Sequence, residues 1–342
     1  MNRHLLFIGL FVAMLAIDPA IQGQSTPSCG PLPFPEAILP EGTDVKTSAD
    51  LIAACSQKYG KDWSEHLNSP ELQDDLRKIA ESPLVFPRLW PDGDLDGALE
   101  RELFWCAPLR QTAKASAAFA KAYALRGQMD QADYSEDILR ILRNQFTINA
   151  KFRKNPGSAI EFIIALSMDQ LTLDTLMELN CQGVITEKDC NDLRNAFRPS
   201  REDYAKSLEF VANSEVFFSA SILSMIKDDA GVQRLLGIDG SNEFNDFIAA
   251  SLVDIIQIRK KPEVFLEAVR QLARHFVDAF RNQMPYDVDA EISVTGLDND
   301  DWQTLLHSDL FFFPKIEISL LKRIDETWKR YDAPSQQEKA AP

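Results

Sequence analysis

The sequence predicts an all-α fold, an array of antiparallel helical hairpins packed as a single compact domain. Three observations lead there. Apolar side chains recur at three- and four-residue spacing through most of the stretch from Ala98 to Trp328, the period of a helix with one buried face. Helix punctuation stands at the ends of those stretches, with Ser69-Pro70-Glu71, Thr186 and Ser200 as starts and Gly127 and Gly183 as stops. The one strand-like run, Glu291-Ile292-Ser293-Val294, is too short to be more than an extended piece. At 342 residues, 45% apolar and 26% charged, the chain is long enough to bury a sizeable core.

The N-terminus reads as an address. Met1-Asn2-Arg3-His4 is a basic start, Leu5 to Ile17 is an apolar run, and Asp18-Pro19 breaks it. That order is the pattern of a secretory signal peptide over residues 1–23, cut after Gly23. The apolar run falls short of the roughly 20 residues of a membrane span, so no span is expected after cleavage. Retention as an uncleaved anchor is the alternative. Residues 24–46 carry Pro27, Pro31, Pro33, Pro35 and Pro40 and form an extended leader. Residues 47–332 make the helical domain, and the polar stretch 333–342 is a disordered tail.

Within the domain a short helix covers Ser48 to Tyr59, and a second opens at Ser69 with Pro70 at its first position. Residues 82–97 hold three prolines and two glycines and are irregular. Helical spacing resumes at Ala98. The best-defined unit is Pro108 to Asn155, with one helix running to Gly127 and the next from about Asp130. Its junction spaces Tyr123, Gly127 and Ala132 as in a tetratricopeptide hairpin. The pattern does not recur at a 34-residue period, so one hairpin is supported and a repeat array is not.

Ser158 to Asn180 is apolar around most of its circumference and is the central, most buried helix. Glu161 and Asp169 argue against its crossing a membrane. After Gly183, Thr186 to Asp189 form a weak capping box that opens the next helix. Ser200 caps a long helix with Tyr204, Leu208, Val211, Phe218, Ile222 and Met225 on one stripe. Two amphipathic helices follow, one with Phe244, Phe247, Ile248, Ile255 and Ile258, the other with Phe265, Ala268, Leu272, Phe276 and Ala279. Residues 285–300 are an acidic loop, and Asp298 to Asp301 cap a helix carrying Trp302 and Leu305. The last helix follows Pro314 and buries Leu320, Leu321, Ile324 and Trp328.

Residues from about Phe86 to Phe197 resemble a loose group of uncharacterised secreted bacterial helical proteins of planctomycete type. The likeness lies in Phe86-Pro87, Pro108-Leu109-Arg110, the Gly127-Gln-Met-Asp-Gln-Ala132 turn, Ile138-Leu139-Arg140 and the buried stretch Ile160 to Leu179. Phe313-Pro314 before the last helix is also similar. The resemblance implies an all-α architecture and export, and it carries no activity.

Charge and motifs narrow the function classes. Lys plus Arg number 36 against 52 Asp plus Glu, a net charge of −16, which opposes binding to nucleic acid or anionic lipid. No HExxH, GxSxG, phosphate-binding glycine loop or dinucleotide fingerprint occurs, so neither a cofactor nor a catalytic residue is assigned. His66, His275 and His307 lie far apart, and His275 reads as a helix-shoulder residue. Asp92-Gly93-Asp94-Leu95-Asp96-Gly97 matches the first half of a calcium loop, but Leu103 stands where a bidentate carboxylate belongs, so a polar turn is the preferred reading and no metal is assigned. The clusters Phe217-Phe218 and Phe311-Phe312-Phe313 read as core packing, with an apolar groove as the alternative.

Five cysteines follow the leader's start: Cys29, Cys55, Cys106, Cys181 and Cys190. In an oxidising compartment a disulfide is expected between Cys181 and Cys190, because the short turn after Gly183 brings two helix ends together. Two buried free thiols are the rival reading, and Cys55 with Cys106 is a second candidate pair. Together these features lead to an exported, non-enzymatic helical scaffold that binds a protein or peptide in the cell envelope. An enzyme, hydrolase-like, with a site dispersed over several helices, is the alternative.

Overall fold

A computed structural model describes residues 48–67, 69–83, 95–154, 156, 158–227, 229–230, 232, 254–286, 295–307 and 313–332, with backbone alone at 49, 95–106, 221, 225, 307 and 313–316. The stretches expected to be a signal peptide (1–23), a leader (24–46) and a tail (333–342), the strand-like run 291–294, and Phe244, Phe247 and Ile248 lie outside the described residues. Among those described, every element is a helix: α1 Ser48–Tyr59, a 3₁₀ turn Trp63–His66, α2 Pro70–Glu81, α3 Leu95–Asp130, α4 Ser135–Lys154, α5 Ala159–Cys181, α6 Glu187–Phe197, α7 Arg201–Met225, α8 Pro262–Asn282, α9 Asn299–His307 and α10 Phe313–Asp332.

The caps explain why the helices start and stop where they do. Ser158 Oγ accepts from Glu161 N–H, and Thr186 Oγ1 accepts from Asp189 N–H. At α7 a full reciprocal box forms: Asp203 N–H donates to Ser200 Oγ (3.1 Å) and Ser200 N–H donates to an Asp203 carboxylate oxygen (2.9 Å). α9 is capped by Asp298, which accepts from Asp301 N–H (2.9 Å). α5 ends in a Schellman turn: Val184 N–H reaches Leu179 O, Gly183 N–H reaches Asn180 O, and Gly183 sits at φ +71°.

The junction between α3 and α4 differs from expectation. α3 starts at Leu95, carries Pro108 inside it, and runs through Gly127 to Asp130. Gly127 therefore does not stop the helix. A Cβ there would lie 2.9 Å from the Ala132 carbonyl oxygen and 3.4 Å from Tyr134 Cδ2, so glycine is needed for close approach of the chain that follows. Reversal occurs at Gln131, with φ +52°. α4 opens at Ser135, whose N–H donates to Asp133 (2.9 Å). Tyr123 does meet the junction, edge-on to Tyr134.

The contacts fall into two compact units: Pro35–Leu89, Arg101–Ser207 and Ser319–Pro342 in one, and Met1–Phe34, Trp90–Glu100 and Leu208–Ile318 in the other. In the first, α5 packs on α4 and α6, and α2 packs on α1 and α4. α5 is buried on nearly every side, through Phe162, Ile164, Ala165, Leu166, Leu173, Leu176 and Leu179. One core cluster joins Ile52, Trp63, Leu72, Phe119, Phe152 and Met168, and a second joins Ile138, Leu142, Phe146, Leu176, Leu193 and Tyr331. In the second unit, α8 buries Phe265, Ala268, Leu272, Phe276 and Ala279, the predicted stripe. Ile255 and Ile258 are buried as well. In α10, Leu320 and Ile324 are buried, whereas Leu321 and Trp328 are only half-buried.

Candidate functional site

The densest polar chemistry among the described residues lies inside the first unit, along the inward face of α4. Gln145, Asn149 and Arg153 recur every four residues and stack on one side of that helix. Arg153 forms an ion pair with Asp169 of α5 and donates to the Phe197 carbonyl at the end of α6 (3.2 Å). The Arg153 carbonyl in turn accepts from Ser207 Oγ of α7 (2.7 Å). One turn earlier, Asn149 donates to Thr172 Oγ1 (3.1 Å). Gln145 donates to Asn149 Oδ1 (2.7 Å) and Thr112 Oγ1 (3.2 Å), and accepts from Ser116 Oγ (2.9 Å). A row of polar side chains thus ties α3, α4, α5 and α7 together.

Its centre is sealed. Asp169 is 0% and Arg153 3% exposed, and Tyr204 and Tyr331 beside them are buried. Burial pushes the Asp169 carboxyl up, against the opposing pull of Arg153. Burial likewise pushes the Tyr204 and Tyr331 hydroxyls well above the usual phenol range. A reacting group must be reached by its substrate, and these are enclosed by packed helices. Their chemistry is that of a tie, since a buried charge is stable only when paired.

α10 joins the same unit through a polar seam. Gln170 donates to Thr327 Oγ1 (3.0 Å), Arg330 pairs with Asp174 (3.0 Å), and Trp328 Nε1 donates to the Pro199 carbonyl (3.1 Å). The Arg194 guanidinium donates to the Tyr331 and Arg330 carbonyls at the helix end, where the negative end of the helix dipole favours a cation. Lys151 serves α2 in the same way. Its half-buried amine donates to the Ile79 carbonyl (3.1 Å) and the Ser82 carbonyl, and burial lowers its pKa.

The residues singled out from sequence are dispersed. His66 is half-buried on the 3₁₀ turn with its ring 5.2 Å from that of Tyr59. His275 is half-buried on α8, beside the core residue Phe276 and 6.1 Å from Tyr286. Its shoulder position is as expected. His66 belongs to one unit, and His275 and His307 to the other; the His307 side chain lies outside the described residues. So do Asp92, Gly93 and Asp94 of the calcium-like turn, Phe311, Phe312, Cys29 and the Cys106 side chain. Phe217 and Phe218 are each half-buried. No group of three or more His, Cys, Asp or Glu side chains suited to a metal occurs among the described residues, and none of their helices is long and apolar enough to cross a membrane.

The Cys181–Cys190 disulfide is not formed. Both are free thiols, Cys181 exposed and Cys190 buried. The turn does bring the two helix ends together, but Cys190 points into the core, where its Sγ lies 3.8 Å from Met177 Sδ. Cys55 is also free and buried, and burial pushes its thiol up to about 12.

Seven large apolar side chains are exposed among the described residues, Leu171, Ile256, Val264, Met284 and Ile318 singly and two as a pair on one helix. Leu125 is 61% and Met129 81% exposed. Four residues apart on the last turns of α3, they share a face. The helical spacing of the stretch had marked neither, because its apolar period does not distinguish which face is covered. No protein-family model, curated protein or solved structure matches this chain.

Proposed function

We propose that the chain is an exported, non-enzymatic helical scaffold that binds a protein or peptide partner in the cell envelope. The observation that carries the reading is the division of labour among its side chains. Gln145, Asn149, Arg153, Asp169 and Arg194 of the first unit bind one another, neighbouring side chains and the ends of helices, while Leu125 and Met129 present an unburied apolar pair at the α3–α4 junction. Apolar side chains facing water at neighbouring positions gain most from being covered by a partner. The junction resembles that of a single tetratricopeptide-like hairpin, a unit whose surfaces commonly bind peptides. Export rests on residues 1–23.

The test is capture from envelope extract with the full chain and a Leu125→Glu/Met129→Glu variant. Both positions are exposed, so the variant keeps the wild-type circular dichroism and melting temperature. A protein captured by wild type and lost with the variant supports the reading. Equal capture by both overturns the assignment of this face. N-terminal sequencing of protein from the native host, starting near Gln24, supports export.

A further inference from the structure

The outward face of α3 carries more than an apolar pair. Arg110, Lys114, Lys121, Leu125 and Met129 are all exposed. They follow one another at steps of four and seven residues, so they share one stripe of the helix. That stripe is about 28 Å long at 1.5 Å per residue. From Ala107 to Met129 the helix holds the cations Arg110, Lys114, Lys121 and Arg126 and no acid. The whole chain has 52 acids against 36 cations, so this face has the opposite sign to the molecule. We propose that it docks an acidic amphipathic segment of a partner protein, apolar side chains on Leu125 and Met129 and carboxylates on Arg110 and Lys114. The inference rests on the apolar pair being the partner-binding face, and it names the chemistry of what binds there.

Charge complementarity selects the partner. Lys121 is already paired, with Glu178 of α5 (2.7 Å), and Arg126 lies over the Tyr123 ring, 5.9 Å from its centroid. Arg110 and Lys114 make no ion pair among the described residues. Asp62 feels Lys114 less than it feels its own hydrogen bonds from Ser64. Asp130, the next acid along the helix, turns from the stripe toward Tyr134. Two cations are thus left to meet carboxylates, on the same stripe as two apolar side chains left to be covered. Opposite charges fix register and speed encounter, and apolar side chains gain from being covered. A phosphate backbone offers nothing apolar to Leu125 and Met129. An anionic membrane plane faces the whole protein, which a net charge of −16 repels. A single segment lies within the roughly 8 Å over which the local cations act unscreened.

The experiment is fluorescence anisotropy with the full chain and two labelled synthetic helical peptides of about 20 residues, matched to the stripe. Both carry Leu along one face; one has Glu at the flanking positions and the other Gln. The Glu peptide is expected to bind more tightly, with the preference vanishing at high salt. Arg110→Glu/Lys114→Glu is expected to weaken the Glu peptide by roughly 3- to 30-fold, the range for two exposed ion pairs, and to leave the Gln peptide unchanged. Both positions are exposed, so the variant keeps the wild-type circular dichroism. Lys188→Glu/Lys206→Glu, at exposed positions on α6 and α7, makes the same change in net charge. It is expected to leave the Glu peptide within about 2-fold of wild type. No binding of the Glu peptide, equal binding of the two peptides, or a stripe variant indistinguishable from that control would each overturn the proposal. If Leu125→Glu/Met129→Glu nonetheless abolishes binding of both peptides, the apolar face stands and only its acidic partner falls. Capture by phosphatidylglycerol vesicles that is lost in Arg110→Glu/Lys114→Glu would assign the stripe to a membrane and overturn the proposal as well.

Discussion

Arg153 and Asp169 show how one residue pair organises four helices. The guanidinium neutralises the acid buried at mid-length in α5, and its second terminal nitrogen donates to the carbonyl at the end of α6. Removing one partner of a buried pair leaves an uncompensated charge and costs about 3–5 kcal/mol. Arg153→Met is therefore expected to lower the urea midpoint severely. Arg153→Met combined with Asp169→Leu is expected to recover most of that loss, because an apolar pair of similar volume needs no counter-charge. Equilibrium unfolding of the three proteins measures the cycle. This pair was half legible in the sequence. Asp169 was visible in the sequence as an acid inside a mostly apolar helix, together with Glu161 an argument against a membrane span, but nothing in one dimension says that it is paired, or that the partner lies sixteen residues earlier on another helix. The cysteines were misread for a related reason. Their backbone neighbourhood follows from Gly183 and Thr186, whereas the inward direction of Cys190 follows from the core it fills.

At the scale of elements, capping residues carried most of the information. Ser158, Thr186, Ser200 and Asp298 each stand at a helix start and accept from N–H groups that the helix leaves unpaired, whereas at Ser69 no side-chain bond forms and Pro70 at the first position marks the start. Gly127 misled because glycine has two uses. It ends helices through positive φ, as Gly183 does, and it permits close approach, as here. A methyl group at 127 meets backbone of the following loop, so Gly127→Ala is expected to destabilise by about 1–3 kcal/mol through overpacking. Gly183→Ala meets open space but keeps φ +71°, and is expected to cost about 1–2 kcal/mol from the left-handed backbone alone. Thermal unfolding of each variant measures the two costs. Tyr134→Ala is expected to relieve neither, because the short contact at 127 is with the Ala132 carbonyl and the Tyr134 ring lies at ordinary contact distance.

For the whole molecule, the all-helical class was legible and the division into two units was not. Three of the five boundaries fall inside helices, at 100–101 in α3, 207–208 in α7 and 318–319 in α10, so no Gly- or Ser-rich linker marks those; the other two lie outside the described residues. Acid stability follows from the caps. Asp62, Asp133, Asp203 and Asp298 accept hydrogen bonds at helix starts, chiefly from Ser64, Ser135, Ser200 and the Asp301 backbone respectively, and are held below the usual carboxylate range. A depressed folded value means their contribution is present above the unfolded value of about 3.9 and is lost as pH falls through the folded values. The melting temperature is expected to drop below about pH 4, and to drop less in Asp203→Asn. In the function proposed here the molecule works by presenting a surface, and its buried polar chemistry holds that surface in place. The most direct measurement is photo-cross-linking in the native envelope from a probe amino acid at position 129, with exposed Lys206 on α7 as the control site. A discrete cross-linked partner from 129 and none from 206 is the predicted result, and identical products from both sites, or none from 129, would contradict it.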